Sequence, residues 1–341
     1  MKVKLFPILK TVIPLLLGIY LIWYFFHSMS EESLTYFYKA LHEANYFWII
    51  LALLLSFCAY LSRAYRWKYT LEPMGFKTPF WNRYHAMMIG YLINLTIPRA
   101  GEASRAAMLY RSDGVPFSKS FGTIIAERIV DLFMLFLVTL ITLALAYDDF
   151  FTIFKQIQTN FSDKTASDEG QIIKYVFYVF LALGFIIFTY FILFKKKVRE
   201  KIILFVKGLF DGLFSIFKSK NPFLFFSHTL LIWILYIVYF GIAFFSLEET
   251  KNFPLDGMLV AFIAGALGIS LTNGGMGTFP LLVALVVVFY LEKDNANALA
   301  IGNALGMLIW VSQTILLIVL GLISFLLLPK NFSKKSNEEH V

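Results

Sequence analysis

The sequence predicts an all-α, polytopic membrane fold: six full spans plus two broken, re-entrant hairpins, arranged as an inverted-topology repeat. Three observations predict it. Hydrophobic residues make up 59% of the 341-residue chain and charged ones 15%, against roughly 45–50% and about 25% in soluble domains. With a mean hydropathy of +0.72, such a chain cannot cover itself with a water-facing surface. The apolar residues gather in runs of about 20 or more, the length that crosses the hydrocarbon core. Two further apolar regions are broken at mid-length by Pro, Gly and Asn.

Other classes fall on the same composition. The lone Cys58 excludes disulfides within the chain and a cysteine metal cage, and five scattered His offer no metal centre. No cofactor is expected. The net charge of +8 sits in short loops between apolar runs, which suits orientation beside anionic headgroups and not nucleic acid. Lys2, Lys4 and Lys10 precede an apolar run, but His27-Ser28-Met29-Ser30 offers no small-x-small cleavage site, so the run is expected to be a retained first helix.

Six runs qualify as spans: about 6–27, 47–66, 118–147, 172–194, 223–247 and 296–328. The broken regions are 80–112, interrupted at Thr96-Ile97-Pro98-Arg99-Ala100-Gly101, and 256–291, interrupted at Thr272-Asn273-Gly274-Gly275-Met276-Gly277. Basic residues mark the N-terminus, the segment holding Arg63, Arg66, Lys68, Lys77 and Arg83, the 195–220 stretch and the tail; acidic residues mark the remaining loops. The positive-inside bias places every basic segment on the cytoplasmic side only if each broken region is a hairpin, with both termini cytoplasmic. Irregular backbone at membrane depth is tolerated only beside protein or a watery cavity, so two such hairpins predict an internal hollow. Two ordinary helical pairs with turns near the surface are the plainer alternative.

Leu95-Thr96-x4-Gly101 recurs as Leu271-Thr272-x4-Gly277, and the order of segments recurs with it. Amphipathic pieces stand at about 31–45 and 198–218. The expected organisation is a first repeat at 1–147, an external loop at 148–171, a second, inverted repeat at 172–328 and a cytoplasmic tail at 329–341. Inverted repeats with broken helices are a transporter architecture whose substrate site lies at the repeat interface.

The densest polar constellation runs from Asn94 to Asp131. Arg99, Glu102 and Arg105 follow the break at Pro98; Glu127, Arg128 and Asp131 lie in the next long helix. A rise of 1.5 Å per residue places Glu127 roughly 13 Å and Asp131 roughly 20 Å along it, inside the hydrocarbon core. Charges there must face the protein interior and find partners. Arg128 lies three residues before Asp131 and can pair with it; Arg99 and Arg105 are the expected partners for the acids. A purely structural ion network is the alternative role. Asn273, Gly274, Gly275 and Gly277 at the second break expose backbone donors and permit close approach of a ligand, although glycine clusters also mark plain turns.

Asn94-Leu95-Thr96-Ile97-Pro98-Arg99-Ala100-Gly101-Glu102-Ala103-Ser104-Arg105, then Glu127-Arg128-Ile129-Val130-Asp131, then Asn273-Gly274-Gly275-Met276-Gly277-Thr278 resemble signatures of the lysylphosphatidylglycerol synthase transmembrane-region family. The resemblance covers nearly the whole chain and includes the flippase half of the multiple peptide resistance factor. It departs at the second glycine motif, where Leu271-Thr272-Asn273 precedes and Phe279-Pro280 follows. The resemblance implies a bacterial inner-membrane protein that moves a phospholipid or lipid-linked headgroup between leaflets, without the soluble synthase domain of its fused relatives. Two other readings stay open: an intramembrane enzyme using Glu127 and Asp131, and a non-transporting scaffold for a separate synthase partner. A homo-oligomer also stays open.

Overall fold

The computed structural model describes residues 31–97, 100–147, 221–291 and 297–328, together with Tyr20, Trp23 and His27. The expected spans at 6–27 and 172–194, the amphipathic piece at 198–218, the loop at 148–171 and the tail lie outside the described residues. Every described element is helical: α1 (Glu31–Glu43), α2 (Tyr46–Arg66), α3 (Phe80–Thr96), α4 (Ala100–Asp113), α5 (Phe117–Leu145), α6 (Pro222–Ala243), α7 (Leu255–Leu271), α8 (Thr278–Leu291) and α9 (Ala298–Leu327). Among the described residues four helical stretches are long and apolar enough to cross a membrane: Tyr46–Met74, Phe117–Leu145, Pro222–Ser246 and Ala298–Leu327.

Local chemistry sets the boundaries. Asn45 caps α2 by accepting from the Phe47 N–H, satisfying one of the donors that a helix start leaves open. Pro116, Asn221-Pro222 and Pro254 stand at the starts of α5, α6 and α7. The end of α3 follows from Pro98: the residue before a proline is pushed out of the helical region, and Ile97 is extended at φ −120° and ψ 112°. In α1 the amphipathic pattern buries Phe37 and Ala40 and leaves Tyr38 exposed.

Both broken regions are helical hairpins with arms of matching length. α3 and α7 each have 17 residues, α4 and α8 each have 14, and the long helices that follow have 29 and 30. In the first hairpin the arms touch backbone to backbone: a Cβ on Gly101 would overlap the Gly90 carbonyl oxygen, and the Gly101 N–H donates to Asn94 Oδ1 at 2.7 Å. In the second, Thr278 Oγ1 donates to the Gly268 carbonyl at 2.7 Å and shares a hydrogen bond with Thr272.

The hairpins meet tip to tip. The Asn273 side-chain amide donates to the Thr96 carbonyl, and Gly274 lies against Leu95. α9 runs past both. Its Gly302 and Gly306 let Ala284 and Pro280 of α8 approach, its Trp310 donates to the Gly274 carbonyl, and farther on Gly321 meets Leu92 while Ser324 bonds His85. The second hairpin therefore packs along the first half of α9 and the first hairpin along its second half. The two enter from opposite ends of that helix.

Candidate functional site

Five of the six charged residues singled out from the sequence come together beside the first hairpin. Arg105 on α4 lies with Nη1 2.9 Å from Glu127 Oε2 on α5, and its guanidinium carbon sits 3.6 Å above the Trp67 ring centre. Trp67 is held in turn by a hydrogen bond to Thr123. One turn farther along α5, Asp131 accepts from Arg63 Nη2 and Arg66 Nη1, both at 2.8 Å. Arg63 also donates to the Tyr236 hydroxyl and Arg66 to Thr229 Oγ1, both on α6. The sixth residue, Arg99, lies outside the described residues.

One sequence expectation is corrected. Arg128 does not pair with Asp131; its Nη2 bonds Glu102 Oε1 at 2.9 Å. The local i,i+3 option loses because Asp131 faces α2, where two guanidiniums occupy both of its oxygens. Arg63, Arg66 and Arg83, part of the basic segment that the sequence marks, are all buried, with Arg66 fully so. Arg83 donates to backbone carbonyls of Thr78 and Ala64. Buried charges require partners, and two of these three find an acid from another helix.

The cluster opens on a cavity of about 500 Å³. Arg63, Arg128 and Asp131 form its charged end; Tyr91, Tyr236 and Tyr239 also line it, and Trp233, Phe240 and Phe262 belong to its apolar wall. Its lining includes Leu132, Ile269 and Ser270, which are exposed. A smaller cavity of about 140 Å³ borders it through Tyr60, Tyr239 and Phe279, and reaches Leu95 and Gly274 at the hairpin tips.

The second motif forms a tight turn. Gly274, Gly275 and Gly277 all have positive φ, at 61°, 79° and 73°, a region that L side chains avoid. The Gly275 and Met276 N–H groups bond back to Thr272 and Asn273, so these donors close the turn. Among the motif's residues Gly274 lines the smaller cavity, and Asn273 fastens the tips. The residues that sequence reasoning missed are Arg63 and Arg66, together with the tyrosines of the cavity. Their only sequence signal was two arginines three apart at the end of an apolar helix, which also describes an ordinary cytoplasmic flank.

The model of the lysylphosphatidylglycerol synthase TM region matches residues 11–316. The chain belongs to that family. It is also 29% identical over 106 residues to a UPF0104 membrane protein of Methanocaldococcus jannaschii, a match covering 30% of this chain and 32% of that protein. No solved structure matches. Set within this family, the chain is a membrane protein whose described helices bury an ion-pair cluster at the mouth of an aromatic cavity.

Proposed function

We propose that the protein is a lipid translocator, moving a phospholipid or lipid-linked headgroup between leaflets through the cavity beside the two hairpins. One observation carries the reading: a cavity charged at one end and aromatic along the rest adjoins the point where the hairpin tips meet. A headgroup needs the first surface and its glycerol and upper acyl chains the second. Pockets with few convergent polar groups on an apolar wall are the usual form of a small-ligand site. Exposed Leu132 and Ile269 at its edge suit acyl chains that stay in the bilayer.

The matched helix lengths and the tip-to-tip contact support an inverted repeat, with the cavity at the interface of its halves. On that reading α3–α4 enters from the cytoplasmic side, α7–α8 from the outside, and both termini are cytoplasmic. Proteoliposomes holding a leaflet-labelled lipid test the function. Wild-type protein is expected to move the label, and Arg128→Ala and Glu127→Ala to slow it; equal rates in all three remove these residues from the site. The family description, a synthase's membrane region, favours a second reading as scaffold for a separate synthase. Stoichiometric co-purification of such a partner, with no lipid movement by the protein alone, would select it.

A further inference from the structure

The charges around the cavity are unequal in a way that selects among lipids. Among the described residues four guanidiniums, Arg63, Arg66, Arg105 and Arg128, are joined in ion pairs with three carboxylates, Glu102, Glu127 and Asp131. Every carboxylate is already paired with an arginine. Of the three, Asp131 alone lines the 500 Å³ cavity, and both of its oxygens are taken, by Arg63 and by Arg66 behind it. Among the described residues the cavity's other charged groups are Arg63 and Arg128. Arg128 lends one terminal nitrogen to Glu102 and keeps its side chain 40% exposed.

Unused hydrogen-bonding capacity has the same sign at this end. Arg63 Nε, on a residue of the cavity wall, is a donor without a hydrogen-bond partner, whereas the unpartnered nitrogens of Arg66 and Arg105 belong to residues outside that wall; Arg donors in a low-dielectric site are matched by phosphate or carboxylate oxygens. Unpaired acceptors do occur in the cluster, on Glu102 and Glu127, but neither residue lines the 500 Å³ or the 140 Å³ cavity, and Glu102 borders a space of about 10 Å³ between the arms of the first hairpin.

From this we infer that the cargo is a lipid with a net negative phosphate headgroup, and that an added ammonium on the headgroup, as in an aminoacyl ester, weakens binding. The inference rests on the lipid reading above and names its substrate class. Arg128 and Arg63 hold the phosphate from the cavity wall, Asp131 fixes the two α2 arginines, and the tyrosine hydroxyls complete the headgroup's hydrogen bonds.

Lipid retention by the purified full chain tests it, read by native mass spectrometry with phosphatidylglycerol, its lysyl ester or phosphatidylcholine added one at a time. Phosphatidylglycerol is expected to bind about tenfold more tightly than the lysyl ester, the scale of one charge-assisted contact. Arg128→Gln, on a partly exposed side chain, is expected to erase that preference. Asp131→Asn, which frees two guanidiniums, is expected to raise phosphatidylglycerol affinity, whereas a cation site would lose lysyl-ester affinity with little other change. Equal or tighter binding of the lysyl ester overturns the inference, and so does displacement of phosphatidylglycerol by millimolar inorganic phosphate, which would make the free ion the ligand. The translocator reading fails separately, if no labelled lipid of any class changes leaflet.

Discussion

Asn273 joins the two hairpins: its side-chain amide reaches 3.4 Å across to the Thr96 carbonyl, 177 residues away in sequence. Each tip thereby closes on the other, beside the smaller cavity that leads from the aromatic one. On the proposed translocation route, the tips must part for a lipid to pass. Replacing Thr96 and Asn273 by cysteine in a Cys58→Ser background, then bridging them with a short bifunctional thiol reagent, is expected to stop leaflet exchange. Reduction of a cleavable bridge should restore it. Exchange at the wild-type rate with the bridge in place would show that the tips are not the gate.

The Arg105–Glu127 pair predicts a non-additive stability pattern. Both side chains are almost wholly buried, and removing one partner of a buried pair costs about 3–5 kcal/mol because the other charge is stranded. Glu127→Leu alone should therefore destabilise by that amount, with Arg105 left on the Trp67 ring. Arg105→Met combined with Glu127→Leu should recover most of the loss, since an apolar pair of similar volume has no charge to desolvate. Unfolding by denaturing detergent, followed for the two single variants and the double, measures the coupling. Additive losses would mean that water reaches the pair.

Much of this arrangement was legible in the sequence. Pro98 and the Asn273-Gly274-Gly275 run mark the breaks because a proline forbids helix at Ile97 and the left-handed backbone at 274, 275 and 277 needs glycine. The acids at 127 and 131 stood out because charge at that depth is expensive. The arginines opposite them did not. Arg63 and Arg66 end an apolar run, where a cytoplasmic flank and a buried counter-charge have the same local pattern, and only the packing of α2 against α5 and α6 distinguishes them. The Arg128 partner was missed for a related reason: three-residue spacing offers a neighbour on the same helix, while the observed acid comes from α4.

Two glycines separate packing from backbone freedom. At Gly101 a methyl group would overlap the Gly90 carbonyl oxygen and crowd Asn94, so Gly101→Ala must push the hairpin arms apart. Overpacking of this kind costs roughly 1–3 kcal/mol, and the upper end is expected because backbone cannot rotate away. Gly75 has φ +87° but open space around it, so Gly75→Ala should cost about 1 kcal/mol from the left-handed conformation alone. Thermal unfolding of both variants in the same detergent checks the order. A Gly101→Ala variant as stable as Gly75→Ala would mean that the arms lie farther apart.

The acidic face carries a pH-dependent tie. Tyr36 on α1 donates its hydroxyl to Glu249 Oε1 at 2.7 Å. That bond, ahead of burial, pushes the phenol up to about 12 from its usual 10.0. A group whose folded pKa is raised stabilises the fold fully below its unfolded value and loses that contribution as pH climbs through the folded one. The wild type should therefore melt above Tyr36→Phe by a constant margin up to about pH 10, where free tyrosine begins to ionise. Between there and pH 12 the margin should shrink toward zero. Because the Tyr36 hydroxyl donates to the Glu249 carboxylate, ionisation of the phenol removes that hydrogen bond, and Glu249→Gln should flatten the dependence. A margin that stays constant to pH 12 would place the ionisation elsewhere.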